Sequence, residues 1–100
     1  MTITNAEDLR YQIGRCQYVV VHCDAAWNRH AEPMRKQIDE AKRRLESDVS
    51  FCEIDIDLDH ELARSLEVKN VPALTYFKDG RLIKTVVGLK QDVAGCIAGL

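Results

Sequence analysis

Apolar residues recur along this chain with two periods, and the change from one to the other marks the elements. Ala6, Leu9 and Ile13 fall on one face of a 3.6-residue period and predict a first helix. Thr4-Asn5-Ala6-Glu7 has the form of a capping box, and Gly14 is placed to stop that helix. Tyr18-Val19-Val20-Val21-His22-Cys23 is nearly continuous in apolar character, as a central parallel strand buried on both faces should be. Cys16 is expected to open this strand and Cys23 to close it. Met34, Ile38, Ala41 and Leu45 repeat at i, i+4, i+7 and i+11 and predict a second helix from about Pro33 to Glu46. Asp39 and Glu40 precede Arg43 and Arg44 by four positions and support its exposed face.

The second half continues in the same manner. A third strand is expected over Val49-Ser50-Phe51-Cys52-Glu53-Ile54-Asp55-Ile56, then a short helix from about Asp59 to Leu66. Val71 to Phe77 and Leu82 to Val87 are β-rich runs joined through Asp79-Gly80, the signature of a hairpin. Leu89, Val93, Cys96, Ile97 and Leu100 predict a closing helix. Met1-Thr2-Ile3-Thr4 is a candidate edge strand. The order β-α-β-α-β-α-β-β-α describes an α/β fold: a central mixed sheet of four or five strands, closed by an antiparallel hairpin and flanked by four helices.

Composition narrows the function classes. At 100 residues the chain predicts a single domain over positions 1–100. With 46% hydrophobic and 30% charged residues the balance is globular rather than disordered. Fourteen Lys and Arg against sixteen Asp and Glu leave a net charge of −2, which argues against nucleic-acid binding by bulk charge. No apolar run approaches the roughly 20 residues of a membrane span, and the polar start does not resemble a signal peptide, so a cytoplasmic protein is expected.

The four cysteines are Cys16, Cys23, Cys52 and Cys96, and no two have the spacing of a C-x-x-C. Metal knuckles and dithiol redox motifs need that spacing to bring two sulfurs to one centre. Free, mostly buried thiols are therefore expected, with Cys packing as a small hydrophobe. His30 and His60 share no ligand spacing, so neither a metal nor a cofactor is expected.

Three features in this order resemble the thioredoxin family over nearly the whole chain. Val21-His22-Cys23-Asp24-Ala25-Ala26-Trp27 is similar to the strand that leads into the family's Trp-Cys-Gly-Pro-Cys site. Val71-Pro72 before a strand resembles its cis-proline loop, and Tyr76-Phe77-Lys78-Asp79-Gly80 its Phe-Lys-Asn-Gly hairpin. The resemblance implies a thioredoxin-like fold, with Cys23 and Cys52 on neighbouring strands but offset diagonally, out of bridging reach.

The departure from the family lies in the site itself. After Trp27 the chain has Asn28-Arg29-His30-Ala31 where the family has Cys-Gly-Pro-Cys, so Asn28 and Ala31 stand at the positions of the two redox cysteines. Asn28 offers no sulfur to attack a disulfide, and Ala31 none to resolve it. Asn28 is instead expected to cap the second helix, with Pro33 in its first turn. His22 matches a buried family Asp and Glu53 the Lys that accompanies it, so the two are expected to form a buried polar pair of reversed sign. Read as letters, His22-Cys23-Asp24 suggests a triad, but neighbouring strand residues point to opposite faces.

Each remaining group has a structural and a functional reading. Trp27 is a core aromatic or an interface anchor, and Arg29 and His30 are a solvated turn or donors to a partner. The resemblance implies a cis bond before Pro72 that turns the Val71 backbone outward, where it can pair with an extended peptide. Trp27, Asn28, Arg29, His30, Val71 and Pro72 are therefore expected to form a shallow peptide-binding groove with no catalytic residue. The leading expectation is a redox-inactive module with a protein or peptide partner. The alternatives are a thiol-disulfide oxidoreductase of cell redox homeostasis acting through Cys23 or Cys16, and a structural or assembly domain.

Overall fold

The computed structural model describes residues 2–100 except 4, 5, 26, 30, 45–48, 58 and 59, with only the main chain of 2 and 3. In chain order the elements are β1 (Thr2–Ile3), α1 (Ala6–Arg15), β2 (Tyr18–Asp24), α2 (Ala31–Arg44) and β3 (Val49–Asp55). They continue as α3 (His60–Ser65), β4 (Ala73–Lys78), β5 (Arg81–Val87) and α4 (Val93–Ala98). One five-stranded sheet runs in the order β1-β3-β2-β4-β5. β1, β3 and β2 are parallel, while β4 runs antiparallel to β2 and β5 antiparallel to β4.

Strand β2 is central because its sequence is apolar on both faces. Val19, Val21 and Cys23 pack with Cys52 and Ile54 of β3 against Leu9 of α1 and Leu62 of α3. Val20 points the other way and joins Met34, Ile38 and Ala41 of α2 and Val93 and Ile97 of α4. The period-two alternation of the strand thus feeds two cores, one on each side of the sheet. His22 and Asp24 lie on the α2 side by the same alternation.

Several boundaries differ from the sequence expectation. Helix α1 passes through Gly14 to Arg15, and Cys16 precedes β2, which starts at Tyr18. Helix α2 begins two residues before Pro33, whose missing N–H falls in the unpaired first turn. Its Glu40–Arg44 pair meets at 3.3 Å. Leu89 lies before α4, which starts at Val93 because the Asp92 side chain accepts the Gly95 N–H. The Asp79-Gly80 turn has φ of 52° and 81°, the left-handed pair that a two-residue hairpin needs. The suggested Thr4-Asn5 start of the capping box lies outside the described residues.

Candidate functional site

Register brings the site residues to one end of the sheet. Cys23 of β2 pairs with Ala73 of β4, so the chain leaving β2 and the chain entering β4 meet there. The Ala25 carbonyl accepts the Asn28 N–H at 3.0 Å, and the Asn28 carbonyl accepts the Ala31 N–H at 3.1 Å. These two tight turns carry the chain from the sheet into α2. Within the first of them stands Trp27, 71% exposed, while Ala25 at its root is buried. Trp27 is therefore a surface residue and not a core aromatic.

Arg29 is also exposed, Asn28 is half-buried and Ala31 is buried as the first residue of α2; His30 lies outside the described residues. The Val71–Pro72 peptide bond is cis. The Pro72 carbonyl accepts the Gly88 N–H at 2.9 Å, while the Val71 main chain makes no hydrogen bond to another described residue.

Beneath this surface lies a polar chain that the sequence reading found only in part. Asp24 is buried, and a buried carboxylate is costly unless donors surround it. It has three. The Ala25 N–H and the Asn28 Nδ2 each donate to Oδ1 at 2.8 Å. His22 Nε2 lies 2.9 Å from Oδ2, and since a carboxylate only accepts, the imidazole carries that proton. On its other side, His22 Nδ1 is 3.4 Å from Glu53 Oε1, outside hydrogen-bonding geometry. Arg35 of α2 then donates through Nε to Glu53 at 2.5 Å.

His22 and Glu53 do share a face, being direct register partners on β2 and β3. They are not a buried pair, however, because the Glu53 side chain is 36% exposed and answers mainly to Arg35. Burial alone would hold the Glu53 proton, but the Arg35 guanidinium and His22 outweigh it, so the carboxyl sits below its ordinary value. A cavity of about 200 Å³ opens beside this chain, lined by His22, Arg35, Lys42 and Phe51 among others. Its lining comes from β2, α2 and β3 and does not include Trp27.

Asn28 has a role that was not expected: helix α2 starts three residues after it, and its side-chain amide donates to Asp24. The sequence reading weighed Asp24 only as a letter of a His-Cys-Asp triad and missed its pairing with His22. The signal was the His22-x-Asp24 spacing, which puts two polar side chains on the same face of a strand otherwise buried.

All four cysteines are free. Cys23 lies opposite Ile54, and Cys52 opposite Val21, which is the diagonal offset expected of them. Burial pushes the Cys23 thiol up to about 12; Thr75 partly offsets this, and the Asp24 charge adds to it. Burial also raises the Cys52 thiol above its ordinary value. Among the described residues no group of three or more His, Cys, Asp or Glu is placed to hold a metal ion.

A mixed sheet in the order β1-β3-β2-β4-β5 with helices on both faces, and a loop leading from β2 into α2, defines an α/β protein with a thioredoxin-like fold. A family model described as Thioredoxin matches residues 1–97, and the chain belongs to the thioredoxin family. It is 30% identical over 76 residues to a thioredoxin of Mycobacterium tuberculosis, covering 76% of this chain and 66% of that one. Against a thioredoxin of Mycolicibacterium smegmatis it is 27% identical over 84 residues, covering 82% and 75%. It thus spans slightly less than two thirds of the Mycobacterium tuberculosis protein's length. Mitochondrial thioredoxin 3 of Saccharomyces cerevisiae, in its oxidized form, superposes with a TM-score of 0.92 at 25% identity, over 100% of this chain and 94% of that one.

Proposed function

We propose that this thioredoxin-fold chain is a redox-inactive module that binds a protein or an extended peptide. The surface is centred on Trp27, Asn28, Arg29 and Val71; Pro72, expected in it, is buried, and His30 lies outside the described residues. The observation that carries this reading is the chemistry at the two turns: Asn28 and Ala31 hold no sulfur, and the nearest cysteine, Cys23, is fully buried with its thiol near 12. A thiol so buried and so raised is un-ionised at pH 8 and is not a nucleophile for a disulfide.

What remains is suited to recognition. Trp27 offers an exposed aromatic anchor, Arg29 a cation, and the Val71 main chain a donor and an acceptor for strand-wise pairing. Four unbridged thiols fit a reducing compartment such as the cytoplasm. No helix among the described residues is long and apolar enough to cross a membrane.

Two measurements test this. Disulfide reduction driven by dithiothreitol or by a thioredoxin reductase system should stay at background. Iodoacetamide at pH 8, read by mass spectrometry on the native protein, should leave Cys23 unmodified. Turnover that disappears on replacing Cys16 or Cys23 would establish the redox homeostasis reading instead. Partner capture by the intact chain should be lost in Trp27→Ala; capture that survives would move the binding surface elsewhere.

A further inference from the structure

The two oxygens of Asp24 face different parts of the molecule. Oδ2 meets His22 Nε2 at 2.9 Å, on the floor of the sheet. Oδ1 accepts from the Ala25 N–H and the Asn28 Nδ2, both at 2.8 Å, in the turn above. The Asn28 N–H closes the same turn on the Ala25 carbonyl at 3.0 Å. The carboxylate therefore joins the root of the turn, its far end and the rigid centre of the sheet, and Trp27 is carried between them. A turn rooted in the core at Ala25 yet presenting a large aromatic to solvent needs such fixing if the aromatic is to dock in one orientation.

We propose that Asp24 is a positioning residue for Trp27: held from below by His22, it clasps the Asn28 amide and keeps the turn in its binding conformation. The proposal rests on the reading of this surface as a binding site and deepens it. Asp24 touches no partner itself. Its effect is to remove the ordering cost that a mobile Trp27 would bring to association. Position 28 is then specified as a donor facing an acceptor, which Asn meets through Nδ2 and a purely apolar side chain does not.

The test uses the free protein and nitrogen relaxation at the Trp27 amide. In the native chain the order parameter should be that of rigid backbone, about 0.85, and in Asn28→Ala and Asp24→Asn it should fall below about 0.6. The exchange of partners in Asp24→Asn with Asn28→Asp restores a donor facing an acceptor and should return Trp27 toward the native value. A residue serving only global stability would not show this rescue. Asn28→Ala leaves the His22 and Ala25 contacts of Asp24 in place and carries the experiment if Asp24→Asn does not fold. A Trp27 amide as ordered in Asn28→Ala as in the native chain overturns the proposal, and so does an exchanged variant as mobile as the single ones. These readouts need no partner, so their failure would leave the binding reading standing, and failure of partner capture would leave the clasp standing.

Discussion

With an Asp24 oxygen 2.8 Å from the Asn28 amide nitrogen, any side chain placed at position 28 acquires an anionic neighbour. A thiolate there would face a like charge, which disfavours its ionised form. Helix α2 begins only at Ala31, so its N-terminal dipole gives limited help at that distance. Asn28→Cys with Ala31→Cys should therefore give a sluggish thiol, its ionisation at or above the ordinary value of about 8.5, and little disulfide reductase activity. Adding Asp24→Asn should lower that ionisation and raise the activity. Alkylation rate against pH measures the first, and dithiothreitol-driven disulfide reduction the second. A double variant already ionised well below 8.5 with Asp24 in place would count against this electrostatic account.

At the scale of elements, what was legible in the sequence followed from period and what was not followed from register. The β2 and β3 strands, the α2 stripe of Met34, Ile38 and Ala41, and the Asp79-Gly80 turn are each fixed by local pattern. Helix ends were less legible because side chains outside the apolar stripe decide them, as Asp92 does for α4. His22 and Asp24 share a face by period alone and could have been paired from their spacing. The Arg35 contact to Glu53 could not, because it needs the packing of α2 across β3.

That contact has a pH signature. The Glu53 carboxyl is held below its ordinary value, so its contribution to stability is present above the unfolded value of about 4.3 and is lost as pH falls through the lower folded value. Both partners are substantially exposed, and the pair is expected to be worth less than about 1 kcal/mol. Glu53→Gln should thus cost little at pH 7, and its urea midpoint should approach that of the native chain as pH falls through the lowered folded value. A gap that stays constant through that fall would mean that Glu53 acts through packing and not through its charge.

For the molecule as a whole, the sheet divides two cores, and the two middle strands belong to both. Every residue of β4 from Ala73 to Phe77 is buried, and Tyr76 is fully so on the side of α2 and α4. Its hydroxyl has no hydrogen-bond partner among the described residues. Burial, with the Cys96 thiol nearby, pushes the ionisation of the phenol far above its ordinary value, so it is neutral at pH 7. The aromatic ring fills the core, and Lys84 lies over it at 5.6 Å from the ring centre. The hydroxyl therefore loses water on folding without an evident return, a burden of about 1–3 kcal/mol for an unsatisfied buried group. Tyr76→Phe keeps the ring and removes that burden. The variant should be at least as stable as the native chain in urea denaturation at pH 7, with an unchanged m-value. A loss of more than about 1 kcal/mol would show that the hydroxyl is held by a hydrogen bond, with the Cys96 sulfur its first candidate, and that this core is joined by polar contact as well as by packing.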